Sequence, residues 1–327
     1  MKPLPQLRAT VVCSMRNEGP FIVEWLAWYR MLGFDEVVVV TNNCTDRSPD
    51  LLDALQAAGW LHHIRHDVPP GHRITAQKLA AAKVHPAVRQ ADWVMVCDVD
   101  EFLVIHRGEG RLADLLAPHV APDGAPRFLG MSINWRVFGT DGIEQFNDLP
   151  VHRQFFSASG VGARLSRSVK SLHRKPDWFG ALGEHGPRRL SLAAAGLGWG
   201  DPGMVWITPD GRPVAEWRPE GDYLRTVPAR LVSHRVAQIN HYMLRSVETF
   251  SLKAGSLSPV ALRDRYSLDY FAEADAGQEQ DRSALRHAAA FDRIHAEAMA
   301  LPDVARLHGL CCDDHRRMIA EKLAGLS

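Results

Sequence analysis

The chain has 327 residues, 46% hydrophobic and 23% charged, the balance of an ordinary globular protein with one large or two smaller domains. Lys plus Arg equals Asp plus Glu at 38 each, so no overall field draws it to nucleic acid or to an acidic membrane surface, and any anionic ligand must be held by local groups. The opening MKPLPQLRATVVCSMRNEG has no apolar run long enough for a signal-peptide core, no stretch approaches bilayer-spanning length, and the five scattered cysteines read as reduced thiols. The expectation is a cytoplasmic protein, at most peripheral at the inner membrane face.

The first third alternates β-branched runs with amphipathic segments: ATVVCSM, FIVEWLAWYRML, EVVVVTN, SPDLLDALQAAG and WLHHIRHD. That alternation predicts βαβ units and a parallel sheet. In the first helix Phe21, Trp25, Trp28, Tyr29 and Leu32 recur at one-face spacing and predict a core stripe, with Glu24 and Arg30 away from it. Gly33 suits the C-cap of that helix, and Ser48-Pro49 opens the next. A third helix is expected over 74–88, ahead of a strand over 93–97. The polar clusters RNE, TNNCTD and DVDE then each follow a parallel strand, where open α/β sheets bind ligands. Beyond residue 104, RFLGMSINWRVF and VHRQFFSAS read as strands among loops, and a hairpin is expected around Pro209-Asp210-Gly211. After QINHYMLRSVETFSLKAG the chain turns mainly helical, with a break at Pro302.

In DWVMVCDVDEFL, residues 92–103, an apolar run leads into Asp98, Asp100 and Glu101. If the strand continues, period-two alternation puts Asp98 and Asp100 on one side, where two carboxylates can share Mn2+ or Mg2+ completed by water and a substrate's phosphates. A solvated acidic turn has the same pattern. Two other clusters draw the eye. LHHIRH gathers His62, His63 and His66 without the spacing of a helix-borne zinc pair, and CCDDH, residues 311–315, has metal-binding residue types although adjacent cysteines seldom chelate one zinc well.

The ordered series of strand, RNEGPFIVEW, strand, TNNCTD, helix, strand, a helix with Gln77 and Lys78, then WVMVCDVDEF resembles glycosyltransferases of the GT-A fold. It looks most like family two and the related group whose acidic motif reads D-x-D-E-F. The resemblance covers residues 8–105 and continues more thinly through INWRVFG and QINHYMLRS. It implies an α/β protein with a Rossmann-like, mostly parallel sheet flanked by helices, an irregular acceptor-side elaboration and a helical C-terminal segment. The corresponding division is a catalytic domain over 1–255, with a nucleotide-sugar half over 8–105 and an acceptor half over 106–255, then a helical extension over 256–327.

The implied activity is metal-dependent transfer of a sugar from a nucleoside-diphosphate sugar to a carbohydrate or lipid-linked acceptor. By that resemblance Asp100 ligates the metal, Asp98 lies near the donor ribose and the metal, and His241 completes the metal shell. Glu101 sits beside the transferred sugar or supports the motif. Asn17 and Glu18 take the base-contacting position, while Arg16 meets phosphate or pairs with Glu18. Where the wider family reads D-D-G-S-T-D, this chain has Asn42, Asn43 and Asp46. The loop loses charge but keeps donors and acceptors; the paired Asn equally suit a left-handed turn, and Asp46 equally caps the loop. Lys78, beside Gln77, and Lys253 would face the diphosphate, although a solvated helix face also explains Lys78. Trp135, Arg136 and Phe138 either shape the acceptor side or belong to a core strand. For an inverting reaction, candidates for the proton-accepting base are Asp141, Glu144, Glu184 and His185. Two alternatives stand beside this reading: a non-catalytic sugar-nucleotide or glycan-binding module of the same fold, and a D-x-D phosphatase of the haloacid-dehalogenase type, disfavoured by Phe102 and by the motif's distance from the N-terminus.

Overall fold

The computed structural model describes residues 8–69, 73–121, 125–191, 203–218, 224–254 and 266–325. Strands β1 Ala9–Met15, β2 Glu36–Thr41, β3 His62–Arg65 and β4 Trp93–Val96 alternate with helices α1 Ile22–Leu32, α2 Ser48–Ala57, α3 Ile74–Lys83 and the single turn α4 Pro86–Arg89. Then come β5 Glu101–Ile105, α5 Leu112–Leu116, β6 Gly130–Val137, β7 Ser157–Ala158, β8 Val169–Arg174, the hairpin of β9 Phe179–Leu182 with β10 Pro187–Leu190, β11 Trp206–Ile207 and β12 Ala237–His241. The described chain closes with α6 Val247–Ser251, α7 Leu268–Asp275, β13 Glu279–Gln280, α8 Ala288–Met299 and α9 Val304–Ala324.

The first four strands are parallel in the order β3-β2-β1-β4, as the alternation of the sequence predicts. The sheet continues β8-β6-β12-β5: β8 runs antiparallel to both neighbours, β12 is parallel to β6, and β5 is antiparallel to β12. Period-two alternation divides the side chains of each inner strand between two cores. Val11, Cys13, Val37, Val39, Trp93 and Met95 pack toward α1 and α2, whereas Val12, Val38, Val40, Val94 and Val96 pack toward α3 and α4. Burial on both faces is why these strands read as unbroken apolar runs. Each fully buried Val or Leu contributes roughly 1.5–3 kcal/mol of transfer free energy.

Three local expectations need correction. The helix expected over 74–88 ends at Lys83, because His85 precedes Pro86 and is held extended at φ −67° and ψ 138°. VHRQFFSAS is not a full strand: Val151–Arg153 forms a 3-10 turn and only Ser157–Ala158 pairs, with β13. Glu24 is buried as well, since the segment after Pro150 lies over it and Val151 N–H donates to its carboxylate at 2.9 Å.

Burial pushes the Glu24 carboxyl up to about 8, against the lowering effect of the Val151 hydrogen bond. The folded protein therefore keeps a proton there that the unfolded chain loses above the ordinary carboxylate range, so stability falls as pH rises from about 4.5 toward about 8. Glu24→Gln, a near-isostere of the protonated acid, is expected to remove that slope. Urea unfolding should show the variant gaining on wild type by a few kcal/mol across this window; parallel pH profiles would refute the buried-acid assignment.

The C-terminal helices complete the first core. α8 lies on α1, and α9 packs on α2 and on the 3-10 turn Gly19–Phe21 that precedes α1. Gly19 is required there: a Cβ would sit 2.5 Å from Cys311 Cβ. The expected break at Pro302 falls between α8 and α9, with Asp303 in the left-handed region at φ 62°.

Candidate active site

β4 ends at Val96 and β5 starts at Glu101, so Asp98 and Asp100 lie on a turn between two strands and not on one continuing strand. Glu101 N–H donates to Asp98 O at 3.0 Å and the Asp98 N–H donates to Glu101 Oε2 at 2.8 Å, closing the turn. The aromatic stripe of α1 holds the same backbone from the other side. Trp25 Nε1 donates to Asp98 O at 3.0 Å, Tyr29 Oη to Glu101 O at 3.1 Å and Trp28 Nε1 to Leu103 O at 2.9 Å. The stripe is thus a core element whose polar tips satisfy buried carbonyls.

The turn points its carboxylates in different directions. Asp98, 42% exposed at its side chain, accepts from Lys170 Nζ at 2.9 Å. Glu101 is fully buried and meets the same ammonium at 2.8 Å, while its Oε1 has no hydrogen-bond partner among the described residues. Burial raises the Glu101 carboxyl to about 7, offset in part by Lys170. Burial also works against the charge of Lys170, but Asp98 and Glu101 overcome it and hold the ammonium well above its ordinary value. Asp100 is buried and accepts from Lys253 Nζ at 3.0 Å, with His241 Nε2 at 3.5 Å from its Oδ1. Burial would raise its carboxyl, yet Lys253, His241 and Arg245 together hold it well below the usual range, so it is ionised. Strand register places His241 opposite Glu101, with its Nδ1, unpartnered among the described residues, 3.9 Å from Glu101 Oε1.

The ends of β1 and β2 form a polar rim beside this turn. Asn17, left-handed at φ 56°, donates to Thr45 Oγ1 and accepts from Thr45 N–H, both at 2.8 Å. Arg16 Nε donates to Asn43 O at 3.2 Å, and Asn43 adopts φ 41° with its N–H on Asp67 Oδ1 at 3.0 Å. Asn42 is buried, with Oδ1 unpartnered among the described residues. Asp46 caps the start of α2, accepting from Ser48 N–H at 3.1 Å, Ser48 Oγ at 2.6 Å and Gly19 N–H at 3.3 Å. Lys78 is buried on α3 and donates to Met15 O at 3.2 Å, and burial lowers its ammonium to about 8. Gln77 is half-buried beside it. Glu18 pairs with Arg245 at 2.9 Å, not with Arg16.

On the other side, Trp135 of β6 lies between two imidazoles, 4.3 Å from the His241 ring and 5.3 Å from the His185 ring by centroids. Its neighbours leave the site: Arg136 pairs with Asp281 at 2.9 Å and Glu279, and Phe138 packs on Tyr242 in the core. Of the base candidates, His185 alone shares an aromatic partner, Trp135, with His241 beside the acidic turn. Its Nδ1 lies 2.8 Å from Val169 O, and burial holds it well below the ordinary imidazole range. Asp141 accepts from Ser157 N–H at 3.0 Å, Glu144 is exposed, and Glu184 borders a cavity of about 390 Å³ behind α3 rather than the turn.

Two cations of the site were missed by the sequence reading, Lys170 and Arg245. Lys170 sits in a strand whose pairing with β4 is non-local, with Leu172 opposite Met95. Arg245 is 3% exposed and left-handed at φ 57°, with its guanidinium 3.4 Å over Phe21 and Nε and Nη2 without hydrogen-bond partners among the described residues. The His cluster resolves into local pairs: His62 lies 2.8 Å from Glu36 and His63 2.5 Å from Asp53.

A four-strand parallel half, the antiparallel β8 inserted beside it and a charged turn at the carboxyl end of β4 give the protein the architecture of the GT-A fold. Residues 9–176, just over half of the chain, match the family model described as Glycosyltransferase family 92, and the chain belongs to that family. Solved structures to which the chain shows similarity include the mannosyltransferase PcManGT from Pyrobaculum calidifontis in complex with GDP-Man and Mn2+, at 17% identity over 98% of this chain and 86% of that one, with a TM-score of 0.36. They also include glucosyl-3-phosphoglycerate synthase from Mycobacterium tuberculosis in complex with Mn2+, UDP and phosphoglyceric acid, at 14% identity over 65% and 72% with a TM-score of 0.32. A third is S. aureus TarS, at 15% identity with a TM-score of 0.33, where 54% of this chain spans 31% of that one. No curated protein matches the chain. No described helix is long and apolar enough to cross a membrane.

Proposed function

We propose that the protein transfers a sugar from a nucleoside-diphosphate sugar to a carbohydrate or lipid-linked acceptor with the help of Mn2+ or Mg2+. The observation that carries this reading is the pairing of the buried, ionised Asp100 with His241 at 3.5 Å, with Lys253 and Arg245 beside it and Lys78 in electrostatic contact with Asp98. The donor set suits a hard divalent cation, and two buried atoms beside it, Glu101 Oε1 and His241 Nδ1, lack hydrogen-bond partners among the described residues. Asp100 and His241 would hold the cation with Asp98 on its open side; when bound, the cation neutralises charge on the departing nucleoside diphosphate.

The remaining roles belong to the chain itself. Arg245 offers Nε and Nη2 groups without hydrogen-bond partners among the described residues, and Lys253 and Lys78 add charge, so a diphosphate would be met by donors already desolvated and fixed. Asn17, Glu18, Asn42, Asn43, Asp46, Arg16 and Gln77 belong to the half that would hold base and ribose, with Asp46 and Asn43 supporting the loop. Trp135 offers a face to the acceptor sugar, and His185, neutral through burial, is the best placed of the four base candidates. The division into a catalytic domain over 1–255 and a helical extension over 256–327 is retained in this reading.

The test is turnover of a panel of nucleotide sugars with Mn2+ against chelator. Nucleoside diphosphate should be released only with the cation present. Donor binding without release across acceptors would favour the binding-module alternative, and turnover unaffected by chelation would remove the metal from the proposal.

A further inference from the structure

The far end of the chain carries a cluster that the proposed transfer does not use. Among the described residues, Asp148, His308 and Cys312 are the one group of three metal-ligating side chains with donor atoms all within 4.8 Å of one another. Asp148 comes from the loop between β6 and β7; His308 and Cys312 stand one turn apart on the same face of α9. His308 Nε2 lies 3.0 and 3.1 Å from the two Asp148 oxygens and 3.7 Å from Cys312 Sγ. Edges of a zinc tetrahedron with Zn–N and Zn–O near 2.0 Å and Zn–S near 2.3 Å are about 3.3–3.6 Å. The two kinds of separation seen here bracket that length.

Without a metal the Asp148 carboxylate is hydrogen-bonded to both the His308 ring and the Cys312 thiol, so the three donor atoms already face one another. His308 and Cys312 are 8% and 2% exposed, whereas the Asp148 side chain is 41% exposed, which opens one side to solvent and to entering ions. Arg316, the nearby cation on α9, is 3.0 Å from Asp313 and lies over Phe146, so it does not fill the gap between the three groups. His295 of α8 adds a further imidazole in electrostatic contact with both His308 and Asp148. Without a cation the Cys312 thiol stays protonated, pushed up to about 12 by burial and by Asp148.

We propose that Asp148, His308 and Cys312 bind one zinc ion, with water in the fourth position, and that this tether fastens α9 to the loop between β6 and β7. On binding, the Cys312 S–H bond breaks and its proton leaves to solvent as Zn–S forms. His308 donates its Nε2 lone pair with the proton on Nδ1, and Asp148 contributes one oxygen. No redox change is involved.

Zinc content and cobalt substitution of the full chain test this. After dialysis in metal-free buffer the wild type should retain about one equivalent of zinc, and Co2+ in its place should give a thiolate-to-cobalt charge-transfer band. Cys312→Ser should lose the band, and Cys44→Ser should keep it. If Cys312→Ser fails to fold, the wild type still decides: chelation should expose Cys312 to alkylation, read by peptide mass, and added zinc should protect it again. Absence of the band in wild type, its persistence in Cys312→Ser, or alkylation of Cys312 at the same rate with and without zinc would each overturn the site.

Discussion

Asp100→Asn is expected to slow sugar transfer by about a hundredfold or more while leaving the fold in place. The substitution keeps the side chain's volume and removes its charge. That charge is present at every working pH, because Lys253, His241 and Arg245 outweigh burial. The turn itself should persist: Tyr242 N–H donates to the Asp100 carbonyl at 2.8 Å, and the aromatic tips of α1 hold the carbonyls on either side. Lys253 loses one of its partners but keeps the Met243 carbonyl at 2.9 Å. Asp98→Asn should cost less, since that carboxylate is half-exposed. Initial rates with donor and Mn2+, read beside thermal unfolding, separate chemistry from stability. A fully folded Asp100→Asn with a rate within a factor of a few of wild type would refute the assignment.

Lys170→Met should have the largest effect on stability, about 3–5 kcal/mol at neutral pH or above. Lys170 is the ammonium shared by Asp98 and the wholly buried Glu101, and Met replaces its length without its charge. Even with Lys170 present, Glu101 is raised to about 7, so its ionisation already opposes folding as pH climbs from about 4.5 through about 7. Removing the lysine pushes that carboxyl further up and extends the loss to higher pH. Urea unfolding should therefore show a greater deficit at pH 8 than at pH 5. Adding Glu101→Gln should recover part of it, and strict additivity of the two changes would exclude the direct coupling.

The parallel half of the fold was legible because β1, β2 and β4 are buried on both faces and announce themselves as apolar runs ending in polar clusters. The acidic turn was legible for the same reason, though its geometry was not: period-two reasoning aligned Asp98 and Asp100, whereas the chain turns there and sends them toward Lys170 and Lys253. Glu24 was misjudged because helical spacing reports one helix in isolation, and the segment that covers it arrives from residues 150–151. Lys170 and Arg245 were invisible for a related reason. A lysine in RSVKSLHRK looks solvated until β8 is known to pair with β4, and nothing local in MLRSVE marks an arginine folded back over Phe21. Family 92 membership names the chemistry, but the cations that surround the carboxylates come from pairings across the whole chain.

The contact of Arg47 with Asp314 bears on how the protein is made. The Arg47 N–H and Nη1 both donate to Asp314, 267 residues later, and Asn17 and Gly19 also meet residues of α9. At about 5–20 residues per second, the ribosome delivers that partner roughly ten to fifty seconds after the loop itself. The nascent polar rim at the ends of β1 and β2 must wait that long, with Arg47 and the Gly19 turn uncovered. Assembly of this rim is a late event in synthesis, and a stalled or shortened chain would hold most of the sheet yet lack the α9 residues that cover it.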